Sequence, residues 1–334
     1  MTAPPLQRQR VDGCGDVRPA GGPPPTPGRR SDRPPSVRQD PIASRLAALT
    51  GHLLVAVIAL VGIGGATRVM EAGLACPDWP LCYGSLLPGR QMNLQVFLEW
   101  FHRLDAFVVG VGLLVLAAVS VLRRRELPGW QPPLALAGVV LVALQAGLGA
   151  LTVVQLLPSG VVTAHLLTAL VLVVLLSGSH QALRDRQALA TAAGDGSAGL
   201  TIAVVAALLL LLAQCLLGGL MASQWAAGRC LSGGEACGWL LAHRLGARAA
   251  AAAVLAVAGL VAWRRPPARS LAASAGLLVL AQVALGVLSL RLTLAVPAVT
   301  VAHQVTAALL VAVLAALAVR CRRSLSDPLE LSHV

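Results

Sequence analysis

Leu98-Glu-Trp-Phe-His-Arg-Leu-Asp-Ala-Phe107 opens a long apolar run with a carboxylate, an imidazole and a guanidinium close together. Its centre, a histidine followed four residues on by alanine, returns three times near the start of other apolar runs. The four copies are His102-Arg-Leu-Asp-Ala106, His165-Leu-Leu-Thr-Ala169, His243-Arg-Leu-Gly-Ala247 and His303-Gln-Val-Thr-Ala307. Positions i and i+4 lie one above the other on a helix face, so each histidine has a small residue beneath it and room for a flat ring. The runs that follow approach or exceed the ~20 residues that cross a bilayer. They predict an all-α polytopic membrane protein.

The 334 residues are 57% hydrophobic and 12% charged. The net charge of +12 points toward nucleic acid, but the basic residues sit in short connections between apolar runs, which argues against that class. All of them are arginine, so Schiff-base and Walker-type lysine chemistry is excluded. Residues 1–45, with ten prolines and eight arginines, cannot bury a core and read as a disordered tail. Eight spans are expected near 47–69, 103–122, 133–154, 161–179, 200–222, 243–263, 270–290 and 299–319. An even number puts both termini on one side. The tail, 123–125, 184–186, 264–269 and 320–323 together hold 19 of the 26 arginines, and that side is expected to be cytoplasmic, in a bacterial cell membrane. The pairs Cys76/Cys82 and Cys230/Cys237 then face outward, where disulfides persist.

The chain repeats itself. Leu141–Gln155 resembles Leu278–Leu292, setting Gln145 over Gln282 and Gly149 over Gly286, while Gly64-Gly65 is echoed by Gly218-Gly219. The expectation is two pseudo-symmetric four-helix bundles, 46–190 and 198–322, followed by a cytoplasmic tail at 323–334. Equivalent spans cross in the same direction, about an axis along the membrane normal.

All four histidines should then share one depth near the outer surface. Intramembrane histidine is costly unless used. Interhelical hydrogen bonding would explain one such residue, and it explains four repeated ones poorly. Two histidines on different helices of one bundle suit bis-histidine haem ligation, with iron as the metal. No carboxylate or cysteine cluster is apparent at that depth to complete a zinc or copper shell. Glu99, three positions before His102, is a candidate catalytic acid or base; the plain alternative is a salt bridge to Arg103. The second half carries no acid at the corresponding position. Arg103 and Arg244 are candidates for propionate contacts, with arginines snorkelling at helix ends as the alternative. Arg68 and Arg248 are weaker candidates, and Asp105 is expected to need an arginine partner. Cys76-Pro-Asp-Trp-Pro-Leu-Cys82 is either a structural disulfide or a reversible redox pair, and Cys230/Cys237 a structural one.

Gly64-Gly-Ala-Thr-Arg68, Gly73-Leu-Ala-Cys-Pro-Asp-Trp-Pro-Leu-Cys82, Glu99-Trp-Phe-His-Arg103 and the histidines at 165, 243 and 303 together resemble the heme A synthase family over about residues 47–320. Val69-Met-Glu-Ala72 is a looser match and Asp105 departs from the pattern. The resemblance implies an oxidoreductase that converts a ring methyl of haem O to a formyl group through two hydroxylations and loss of water. It also implies substrate haem O at His102 and His165 beside Glu99, and a haem B cofactor at His243 and His303. A haem O-producing farnesyltransferase and an electron acceptor are the partners it suggests. The competing class is a diheme membrane cytochrome relaying electrons from quinol, which would place haems at both membrane surfaces. A repeat-built transporter would need discontinuous helices at mid-membrane.

Overall fold

A computed structural model describes residues 41–189, 197–222 and 237–322. Eight long helices carry it: α1 Pro41–Val69, α2 Leu94–Leu122, α3 Gln131–Val154, α4 Ser159–Leu189, α5 Ala198–Ala222, α6 Gly238–Arg264, α7 Arg269–Arg291 and α8 Pro297–Cys321. Each is long and apolar enough to span a membrane. Their outward faces are apolar as well, with Val55, Phe107, Val140, Ile202 and Leu277 exposed, as expected of helices solvated by lipid. The chain is a multi-pass membrane protein.

Several helices run past the expected ends. Pro41, whose fixed φ suits a first helical turn, starts α1 ahead of residue 46, so the last residues assigned to the tail are helical. α2 starts at Leu94, nine residues before the expected start, capped by Asn93, whose side chain accepts from the Val96 N–H at 3.0 Å. Consequently each histidine lies one to two turns inside its helix. At the other end α4 continues through Gln181 and Asp185 to Leu189. Its polar last turns are held by Gln181 and by an ion pair between Asp185 and Arg320 of α8.

Neighbours in the first half follow the ring α1–α2–α3–α4–α1, and in the second α5–α6–α7–α8–α5. The halves meet where α8 packs on α1 and α4, and α4 on α5. One apolar core runs through all eight helices, from Val57 and Leu113 through Val173 and Leu176 to Val204, Val254, Ala275 and Leu314. Ser177 Oγ donates across the seam to the Ala312 carbonyl at 2.6 Å.

The glycine pairs belong to this seam. Ideal Cβ atoms on Gly64 and Gly218 would lie 3.0 and 2.9 Å from Cε1 of His102 and His243. Those on Gly65 and Gly219 would lie 2.8 Å from Gln304 and 2.9 Å from Thr163, both across the seam. Each pair thus admits a histidine of its own half on one side and the other half on the next. α3 and α7 end alike as well, with Leu156-Leu157 and Thr293-Leu294 in the left-handed region, φ 50–61°. These paired turns send α4 and α8, with their histidines, back into the bundle.

Candidate functional site

The structure brings His102 of α2 and His165 of α4 together, ring centroids 6.4 Å apart at an interplanar angle of 67°. They lie on opposite helices of the first ring of four. Nδ1 of each ring is buried and has no hydrogen-bond partner among the described residues. His243 of α6 and His303 of α8 occupy the equivalent helices of the second half. Among the remaining histidines, His180 packs against Gly51 and its Nδ1 approaches the Ala47 carbonyl at 2.8 Å. An imidazole against a glycine thus also occurs away from the four repeated histidines, and the facing ring is what sets His102 and His165 apart from His180.

Every ring of the four rests on a glycine of the preceding helix. His102 lies on Gly64, His165 on Gly149, His243 on Gly218 and His303 on Gly286, with ideal Cβ distances to Cε1 of 3.0, 3.5, 2.9 and 2.9 Å. One turn earlier on three of those helices stands a glutamine. Gln145 Nε2 donates to the His165 carbonyl at 3.0 Å. Gln214 Nε2 donates to the His243 carbonyl and to its Nδ1, both at 2.8 Å. The Gln282 carbonyl accepts from His303 Nδ1 at 3.1 Å, and its amide lies 3.3 Å from His303 Nε2. The sequence reading noticed Gln145 and Gln282 as a repeat and missed Gln214 and the glycines' purpose. The pattern Gln-x-x-x-Gly, recurring on helices that precede a histidine helix, would have found them.

Glu99 is 4% exposed. Its Oε1 accepts from Arg103 Nη2 at 2.5 Å and its Oε2 from the Cys76 backbone N–H at 2.8 Å. The carboxylate thus makes the salt bridge offered as its plain alternative, but a buried one. Arg103 Nη1 donates onward to the carbonyls of Asp78 (2.7 Å) and Leu81 (2.5 Å). Both lie inside the loop closed by the Cys76–Cys82 disulfide, where Asp78 in turn accepts from the Tyr83 and Gly84 N–H groups. Glu99 and Arg103 together fasten that loop over the start of α2. Breaking such a pair by removing one partner costs ~3–5 kcal/mol.

The second half differs. Leu240 stands three positions before His243, and Arg244 is exposed with no ion pair among the described residues. Arg248 is exposed too. Arg68 reaches across the seam, donating to the Ala222 carbonyl at 3.1 Å and to Gln304 Oε1 at 3.3 Å. Asp105 has no ion-pair partner among the described residues, so the arginine expected for it is not found there. Cys237 is disulfide-bonded, and the expected partner Cys230 lies outside the described residues, as do the two terminal tails.

Residues 47–315 match the model of the family COX15-CtaA, described as cytochrome oxidase assembly protein. A heme A synthase of Sphingopyxis alaskensis is 32% identical over 345 aligned positions, covering 85% of this chain and 94% of that protein. A heme A synthase of Shewanella oneidensis is 33% identical over 193 positions, covering 53% of this chain and 57% of its own length. A shorter similarity, 38% over 97 positions, covers 29% of this chain and 20% of a protoheme IX farnesyltransferase of Haloarcula marismortui.

Proposed function

The chain belongs to the COX15-CtaA family, and from that premise we infer that it is a heme A synthase, an enzyme of haem A biosynthesis acting on haem. The substrate is haem O, whose ring methyl is oxidised to a formyl group. The diheme relay has no support among the relatives described above.

His102 and His165 hold the substrate. Metal–imidazole bonds are ~2 Å long, so two imidazoles on opposite faces of one iron have ring centroids roughly 6 Å apart, which the observed 6.4 Å fits. Their orphaned Nδ1 atoms fit a site completed by a ligand, and the glycines behind the rings leave the imidazoles space to face inward. This facing pair of rings is the observation that carries the reading.

His243 and His303 hold haem B, which when bound supplies an iron able to pass single electrons. The bond from His303 Nδ1 to the Gln282 main-chain carbonyl orients that ring, and for Nε2 to ligate, the Gln282 amide beside it would have to turn aside. Glu99 works from beside the substrate. Two donors fix its orientation, while each oxygen keeps a lone pair for a water or for positive character at the carbon being oxidised. Arg103 already carries Glu99 and two loop carbonyls, so its first role is to set that carboxylate, with any propionate contact added through its remaining donors. Arg244, free of such bonds among the described residues, is the better propionate candidate in the second half. The arginine-rich side, with both termini, faces the cytoplasm of a bacterial cell, so both sites open toward the outer surface. A farnesyltransferase that makes haem O would be the natural supplier.

Pigment extraction tests the assignment. His102→Ala should lose bound haem O and its oxidised products while keeping haem B, and His303→Ala should lose haem B. Two variants with wild-type pigment content would sink it.

A further inference from the structure

The four histidine sites are not equally braced. Three are met by the preceding helix twice, by a glycine under the ring and by a glutamine one turn earlier. Gln145 binds the His165 main-chain carbonyl, Gln214 the His243 carbonyl and ring, and Gln282 meets the His303 ring with its main-chain carbonyl at Nδ1 and its side-chain amide at Nε2. The fourth site breaks the pattern. Gly64 lies under His102, but one turn before it α1 carries Leu60. His102 Nδ1 is buried and unpartnered among the described residues, as is that of His165, so what His102 lacks beside His165 is the glutamine bond to its main chain. Polar groups between membrane helices act as glue because lipid offers them no other partner. Groups that hydrogen-bond a ligating histidine also fix its ring and its basicity. A leucine can do neither.

We propose that His102 is the displaceable ligand of the four, a histidine whose bond to iron opens while its three counterparts stay closed. This rests on the assignment of His102 and His165 to the substrate haem. The asymmetry falls where it is useful. The haem at His102 must arrive as substrate and leave as product, whereas the haem between His243 and His303 is resident and has glutamines on both sides. His165, anchored through its carbonyl by Gln145, keeps the substrate iron in place while the opposite face is exposed beside Glu99. Leu60 is thus a positioning residue by omission, and Gln145, Gln214 and Gln282 are positioning residues by contact.

Carbon monoxide reads this directly, because it binds ferrous haem only where an axial position opens. Whole protein, purified with both haems and reduced with dithionite, should bind carbon monoxide at one haem of the two. Leu60→Gln adds the missing brace and should slow that binding about tenfold, the lower end of what outer-shell partners are worth. Gln214→Leu removes side-chain bonds to His243, the reverse change, and should render the second haem reactive, so the proposal is testable even if Leu60→Gln fails to fold. Wild-type protein inert to carbon monoxide at both haems, an unchanged rate in Leu60→Gln, or no reactivity gained in Gln214→Leu would each overturn it. Protein that contains no haem dependent on His102 would instead mean that the substrate-site assignment itself had failed.

Discussion

The two halves share a frame and differ in what stands over it. Both place a histidine on the second and fourth helices, with a glycine of the preceding helix behind each. Over the first pair sit a buried carboxylate, a half-buried arginine and a disulfide-closed loop, joined by four hydrogen bonds. In the second half the carboxylate is replaced by Leu240, and Arg244 is exposed. One frame of histidines and glycines thus carries two different surroundings.

The largest effect that would sharpen this contrast is expected at Glu99. Glu99→Gln keeps an acceptor for Arg103 and removes the charge, and haem A production should fall ~100-fold or more with both pigments retained. Full production would remove the acid from the chemistry. Next comes the arginine pair: Arg103→Ala should destabilise the protein by ~3–5 kcal/mol, leaving Glu99 buried and uncompensated. Arg244→Ala should stay within ~0.5 kcal/mol. Thermal unfolding in detergent separates the two, and equal losses would refute the asymmetry. Smallest is the glycine contrast between α3 and α7. Gly286→Ala meets His303 Cε1 at 2.9 Å and should cost ~1–3 kcal/mol or displace the second-half haem, while Gly149→Ala, at 3.5 Å, should be tolerated. Absorbance per protein reports both.

Much of this was legible in the sequence. Eight apolar runs are long enough to leave no other fold class, and four histidines in one repeated context stand out against lipid. The helix starts were harder to read. Glu99 and Trp100 look like loop residues until Arg103 and the Cys76 N–H are seen to bury the carboxylate. Arg103 itself read as a partner for a ligand, because nothing in the chain order reveals that the carbonyls of Asp78 and Leu81 converge on it. The glycines were visible as a repeat without a reason. Their reason is a close approach between helices, which depends on rotation about each helix axis and only indirectly on spacing. Gln214 escaped because its aligned counterpart is Leu60, so comparing halves alone hid a pattern that comparing all four histidine helices exposes.

Gly65 meets α8 of the other half through Gln304, and Gly219 meets α4 through Thr163. Since α1 corresponds to α5 and α4 to α8, this is the self-complementary geometry of a two-fold homodimer, written here within one polypeptide. An isologous joint is saturated by a single mate. In this chain the mate is covalently attached, so a mutation at either glycine would loosen a joint within one molecule rather than an interface between molecules.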